Sequence, residues 1–238
     1  MSFDHQDAGT AESDWLASPR WQSVPHLTVA AARSVVIVAA HPDDETLGAG
    51  GLVARLHALG AVITVILATR GERAFKRDIS AERLTEFQIA VERLAPRARI
   101  VDLELPDAAL GMCTAELRTA VTDAAVGAEL IIAPWRGDGH GDHCAAGEAA
   151  SSAAAETGAR LLEYPIWLWH WAKPNDATVP WDRFLRLPLD PATCQAKGDG
   201  LAAYASQTSG VDGEAPIIHS GMLAHFTRSW ETFVDTAR

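Results

Sequence analysis

The sequence predicts an α/β fold of the Rossmann-like, doubly wound kind: a mostly parallel sheet in the order 3-2-1-4-5 with a C-terminal antiparallel extension. Three observations predict it. Short apolar runs recur as far as Tyr164, the first of them, Val35 to Ala40, wholly apolar as a strand buried on both faces of a parallel sheet requires. Segments with apolar residues at helical spacing lie between them, and this alternation implies right-handed βαβ units. The third is an abrupt change of character, where Val35-Val36-Ile37-Val38-Ala39-Ala40 gives way to His41-Pro42-Asp43-Asp44-Glu45.

Taken in order, residues 1–32 are polar, with Trp15, Trp21 and Pro25 scattered through them, and read as an N-terminal arm laid over one domain of residues 33–238. The first strand, Val35–Ala40, leads through the acidic turn into a helix near Gly48–Leu59 with Leu52, Leu56 and Leu59 on one face and Gly60 as its stop. Val62–Ala68 is a second buried strand. A helix over Ser80–Leu94 carries Leu84, Phe87, Val91 and Leu94 at helical spacing. Arg99–Leu105 is the third strand, Thr114–Val126 the third helix and Leu130–Ala133 the fourth strand. A loop, Pro134 to His143, precedes an alanine-rich helix over Cys144–Thr157, and Arg160–Tyr164 is the fifth strand. Beyond it the pattern predicts an antiparallel pair from Trp167–Trp171 and Trp181–Leu187, then a helix over 191–206.

Composition narrows the function. At 238 residues the chain suits one domain with a sizeable core. A net charge of −11 argues against a nucleic-acid partner, because phosphate neutralisation needs clustered Lys and Arg. No apolar run approaches the roughly 20 residues of a spanning helix, so the chain is not expected to be an integral membrane protein. The first residues lack a secretory pattern, which makes cytoplasmic residence the default. Cys113, Cys144 and Cys194 show no C-x-x-C spacing and read as small hydrophobes. Self-association is left open.

The chemistry sits in two loops. Three carboxylates beside the end of a buried strand repel one another unless they are neutralised, paired or bound to a cation. His41 and Asp44 can turn one donor each toward a single point, leaving Asp43 free as a base for water activated by a divalent ion. In the 3-2-1-4-5 order strands one and four are neighbours, so the loop holding His140, Asp142 and His143 faces the acidic turn. His143 then completes a two-histidine, one-carboxylate site with open positions. Arg70, Trp135 and Asp138, on the same rim, are expected to touch substrate. The tryptophans at 167–171 offer a stacking surface for a sugar ring or, more simply, core anchors.

His41-Pro42-Asp43-Asp44-Glu45 followed by His140-Gly141-Asp142-His143 resembles the PIG-L/LmbE-like family of zinc-dependent de-N-acetylases, which act on N-acetylglucosamine-containing molecules. Further matching stretches are Thr69-Arg70-Gly71-Glu72, the helix with Arg83 and Glu86, Leu105-Pro106-Asp107, and Lys197 with Tyr204-Ala205-Ser206-Gln207, so the resemblance spans about residues 33–208. It implies one Zn2+ held by His41, Asp44 and His143, with other divalent ions acceptable, and Asp43 as general base. It further implies His140 as the cationic partner of the tetrahedral intermediate or the proton donor, and Asp142, with Asp138, as carboxylates that orient an imidazole. Some members carry tyrosine at the position of Asp138. The implied activity is removal of an N-acetyl group from an amino-sugar conjugate. The alternatives are a metal-dependent amidase for a thiol-sugar conjugate or antibiotic sugar, and a non-catalytic sugar- or nucleotide-binding domain, which the absence of G-x-G-x-x-G disfavours.

Overall fold

β1 (Ser34–Ala39) is buried over its last five residues, and its side chains alternate between two apolar layers. A computed structural model of the chain describes residues 4, 6–29 and 32–235; residues 1–3, 5, 30–31 and 236–238, the remaining parts of the expected arm and domain, lie outside the described residues. On one side of the sheet Val35, Ile37 and Ala39 pack with Leu47, Leu52 and Leu56 of α2 (Asp44–Ala58) and with Phe87 and Val91 of α3 (Ser80–Leu94). On the other, Val36, Val38 and Ala40 meet Leu117 and Val121 of α4 (Thr114–Ala125) and Ala146, Ala150 and Ala153 of α5 (Gly141–Thr157). The alternation explains why the strand sequence is apolar throughout, since neither face meets water.

β2 (Val62–Leu67), β3 (Arg99–Asp102), β4 (Leu130–Pro134) and β5 (Arg160–Tyr164) join β1 in parallel. The order β3-β2-β1-β4-β5 is the expected one, and the sheet continues through β7 (Trp230–Asp235) to β6 (Phe184–Pro188), both pairings antiparallel. The extension therefore exists, but with a different partner from the one expected. Trp167–Trp171 is not a strand: it forms the short helix α6 (Leu168–Trp171), because the amides of Ile166, Trp167 and Leu168 all donate to the Asp138 carboxylate instead of to a ladder. The helix expected over 191–206 divides into α7 (Pro191–Leu201) and α8 (Ala205–Ser209); α7 starts where the Asp190 side chain accepts from the Thr193 amide. Leu59, placed by its spacing on the buried face, lies past the end of α2 and is exposed.

The arm is held down at several points. Its helix α1 (Glu12–Leu16) buries Trp15, and a 3₁₀ turn over Pro19–Ser23 buries Trp21. Beyond them Leu27 donates to the Arg186 carbonyl and Arg186 to that of Pro25, so the arm covers the outer edge of β6. A last helix, α9 (Ser220–Ala224), precedes Arg228, whose guanidinium lies 4.4 Å over the Trp169 ring and donates to Glu12 at 2.7 and 2.5 Å. His225 meets the same carboxylate at 2.6 Å. Burial pushes the Glu12 carboxyl up, but the hydrogen bonds to Arg228 and His225 outweigh it and hold its pKa below the ordinary 4.5. A depressed carboxyl pKa stabilises the folded state above the unfolded value and ceases to do so as pH falls through the folded one. Glu12→Gln is accordingly expected to lower stability by about 2 kcal/mol at pH 7, the scale of a hydrogen bond to a charged group. Urea unfolding of both proteins should show that difference shrinking once the pH drops below 4.5.

Candidate active site and metal centre

β1 and β4 are neighbours, so the turn after β1 and the loop before α5 open into one crevice at the carboxyl ends of the strands. α2 begins at Asp44 immediately after the turn, and the first turn of α5 brings Asp142 and His143 down beside it. His140 is the N-cap of α5, its Nδ1 accepting from the Asp142 amide at 3.3 Å. That bond leaves the other ring nitrogen for the crevice.

Three donors converge at the floor. His41 Nδ1 lies 3.3 Å from His143 Nε2 and 3.5 Å from Asp44 Oδ2, and His143 Nε2 lies 3.2 Å from Asp44 Oδ1. Tetrahedral bonds of about 2.0–2.1 Å place neighbouring ligand atoms about 3.3–3.4 Å apart, so this triad already has the spacing of a coordination polyhedron. The opposite ring nitrogens are fixed by carboxylates. His41 Nε2 is 3.2 Å from both Asp107 Oδ1 and Asp142 Oδ2, and His143 Nδ1 is 2.7 Å from Asp138 Oδ2. A carboxylate behind each imidazole turns the lone pair of the inner nitrogen toward the shared centre. The residues present thus fit a divalent cation, with open positions toward the crevice. His140 also offers a nitrogen within 4.8 Å of those of His41 and His143, which makes it the alternative third ligand; Asp44 brings the negative charge that a cation favours.

Charge follows the same layout. Burial pushes the His143 imidazole down, but Asp44 and Asp138 outweigh it and hold it at about 9. His41 is treated alike: burial is overcome by hydrogen bonds to Asp107, Asp142 and Asp44, and its pKa stands well above the ordinary range. Asp44 lies well below its ordinary range, its burial offset by His143 and His41. Asp43 is pushed to about 8 by burial, against the pull of Arg83 and with the push of Asp44. Glu45 reaches about 7 through burial, although Thr46 and Tyr204 donate to it at 2.5 Å. Burial, and then like charge on His143 and His41, lowers the His140 pKa to about 3.

Asp43 stands apart from the triad. Its backbone has φ 122° and ψ −30°, a region that residues with a Cβ rarely occupy, at a cost of order 1–3 kcal/mol. Arg83 holds it there, donating to Pro42 O at 2.9 Å and Gly71 O at 3.0 Å and lying 3.4 Å from Asp43 Oδ2. Sequence reasoning gave Arg83 no role, yet a signal was present: it shares the apolar face of α3 with Phe87 and Val91, where an unpaired cation has no place. Asp107 was likewise unassigned, and it joins His41 to the Arg73 amide.

The crevice has a volume of about 360 Å³ and is lined by the polar His41, Asp43, Asp44, His140 and His143 and by the apolar Leu47, Ile166, Trp167, Ile217 and Ile218. The three residues expected to touch substrate are not among its lining. Arg70 donates to Asp102 at 2.8 Å and pairs with Glu104, so its charge is spent on the end of β3, while Arg73 lines the crevice. Asp138 is fully buried and serves His143, the other reading given to it. Trp135 packs along the core and against Gly137. Of the later tryptophans, Trp167 reaches the crevice, whereas Trp169 is core and Trp171 donates to Asp138 O at 2.7 Å.

Fold and site together define a class: a doubly wound α/β protein with a histidine- and carboxylate-lined crevice at the carboxyl ends of β1 and β4. Residues 36–154, half of the chain, match the GlcNAc-PI de-N-acetylase (PIG-L) family, and the chain belongs to that family. Among curated relatives it is 35% identical over 86 residues to 1D-myo-inositol 2-acetamido-2-deoxy-alpha-D-glucopyranoside deacetylase of Actinosynnema mirum, a match covering 36% of this chain and 29% of that protein. The chain thus spans less than a third of the length of the curated relatives it matches. Among solved structures it superposes on a triple mutant of a deacetylase of the teicoplanin biosynthetic pathway with a TM-score of 0.63 at 17% identity, covering 85% and 97% of the two chains. It also superposes on 4-carboxy-2-hydroxymuconate hydratase of Pseudomonas putida KT2440, with a TM-score of 0.54 at 17% identity over 82% and 83%. At such identities these neighbours establish the fold.

Gly71 gives the Arg83 clamp a direct test. Its φ is +65°, and a Cβ there would fall 1.7 Å from Arg83 Nη1. Gly71→Ala is expected to lose about 1–2 kcal/mol from the backbone conformation alone and more from displacing Arg83. Chemical denaturation should show a loss beyond that of Gly60→Ala, which has φ +87° and open space around it.

Proposed function

We propose that this protein is a metal-dependent hydrolase that removes the N-acetyl group from an amino-sugar conjugate, releasing acetate and the free amine. The observation that carries this reading is the mutual 3.2–3.5 Å spacing of His41 Nδ1, His143 Nε2 and Asp44, with Asp43 and His140 beside them but not part of the triad. His41, Asp44 and His143 are the proposed ligands, of one zinc ion per chain. Bound by these residues, a divalent cation would supply Lewis acidity to the amide carbonyl and to the attacking water.

The chain's own groups supply the rest. The Asp43 carboxylate, aimed by Arg83, takes a proton from the attacking water as the C–O bond forms. His140, with Nδ1 engaged by the Asp142 amide, presents its other nitrogen to the amide nitrogen or the developing oxyanion. When the C–N bond breaks, the proton that Asp43 took from water passes to the departing amine, so the step balances. Asp142 and Asp138 hold the imidazoles of His41 and His143 in register. Trp167 and the isoleucines enclose the sugar and keep bulk water out. Membership of the PIG-L family and the relative's activity on an acetamido-glucopyranoside support the substrate class. The proposal includes a cytoplasmic setting, supported by the unpaired state of Cys113, Cys144 and Cys194; no helix among the described residues is long and apolar enough to cross a membrane.

Zinc-loaded protein is expected to release acetate and amine in equal amounts from N-acetylglucosaminyl conjugates, and chelation should stop it. Asp43→Asn should lower kcat by about 10²- to 10⁴-fold, the usual share of a general base, with the zinc stoichiometry unchanged. Full activity in that variant, or hydration of an unsaturated acid in place of acetate release, overturns the reading.

A further inference from the structure

The N-terminal arm, outside the stretch matched by the family, is tied by a set of contacts to a proposed ligand. α6 lies between two sets of partners. On its outer side the arm and the C-terminal segment grip it: Trp15 Nε1 donates to Trp169 O at 2.8 Å, the Trp15 and Trp169 rings meet edge to face at 5.0 Å, and the Thr10 amide donates to His170 O at 2.9 Å. Arg228, stacked over Trp169, is fixed by both Glu12 oxygens. On its inner side the amides of Ile166, Trp167 and Leu168 reach the Asp138 carboxylate at 2.8, 3.0 and 3.1 Å, and Trp171 Nε1 reaches Asp138 O. Asp138 in turn orients His143 at 2.7 Å.

Asp138 has no exposed surface, so no water can replace an amide that moves away. A displacement of α6 therefore either strips donors from Asp138 or carries Asp138, and the His143 ring with it, off the shared centre. These contacts of Thr10, Glu12, Trp15 and Arg228 all come from outside the stretch matched by the family, and His170 Nε2 also meets Asp4 O at 2.9 Å.

We propose that the N-terminal arm is a positioning element of the metal centre: Glu12 and Trp15, acting through α6 and Asp138, set the orientation of the His143 imidazole. This rests on the reading of His143 as a ligand. The alternative is an arm that only adds stability, and the two differ in what they do to metal affinity. Carboxylates directly behind a ligating histidine are worth about 10- to 100-fold in metal affinity or activity, and a layer further out transmits part of that.

The test uses full-length protein and needs no substrate. Trp15→Phe removes the indole N–H and keeps an aromatic ring; Glu12→Gln keeps the shape and removes the charge. Ile63→Ala, at the amino end of β2 and so at the end of the sheet away from the crevice, serves as a control that destabilises the fold at a distance from the metal centre. Zn2+ dissociation constants are measured by chelator competition, and visible spectra of the Co2+-loaded proteins are recorded, at a temperature where circular dichroism shows each variant folded. The two arm variants are expected to bind Zn2+ three- to tenfold more weakly with altered Co2+ bands, and Ile63→Ala to stay within twofold with an unchanged spectrum. Arm variants with a lowered Tm but wild-type affinity and spectrum overturn the proposal; if Trp15→Phe does not fold, Glu12→Gln alone decides it. Wild-type protein that binds neither ion sinks instead the reading of the metal centre.

Discussion

Five aspartates, at positions 43, 44, 107, 138 and 142, are at most 7% exposed and crowd around two imidazoles. Carboxylates buried so close together demand compensation, and the backbone around them is arranged to give it. The amides of Ala108 and Leu110 turn in to Asp142, that of Arg73 to Asp107, and those of Ile166, Trp167 and Leu168 to Asp138. The loop after β3, the turn after β2 and the start of α6 are thus placed by the acids they serve. Remove the acids and those segments lose their reason to lie against the crevice.

The same economy separates the proposed ligands from the proposed base. Asp44 is drawn into the pair of imidazoles, while Asp43, one residue earlier, is turned away by its unusual backbone and handed to Arg83. Two adjacent carboxylates with opposite pKa shifts is the pattern by which one short motif supplies both a charge-neutralising group and a proton acceptor. Below them a second buried network joins the helices: Glu231 accepts from the Gly51 and Leu52 amides and from Lys197, which also donates to Leu47 O. It anchors α2, and so the turn that carries Asp43 and Asp44, to β7 and α7.

Much of this was legible in the chain before folding. The parallel order and the meeting of the two polar loops follow from the spacing of apolar runs and from the topology that brings β1 beside β4. What escaped prediction depends on partners remote in sequence. Trp167–Trp171 has the composition of a strand, and only the Asp138 carboxylate makes its first amides helical. β6 pairs with a strand some distance along the chain, which local pattern does not encode. Arg70 and Trp135 sit at the expected end of the sheet, but side-chain direction, set by Asp102 and by Gly137, takes both away from the crevice. Arg83 shows the reverse case, a charge on an apolar stripe that marked a buried role and was passed over.

The backbone at Asp43 has a consequence for how this protein can change. Glycine tolerates φ 122° without penalty, so a chain drifting under selection for robustness alone would gain by losing the carboxylate at that residue. With Asp43 as the proposed base, durability and turnover pull in opposite directions at that one position. Efforts to harden the molecule have to look elsewhere along the chain.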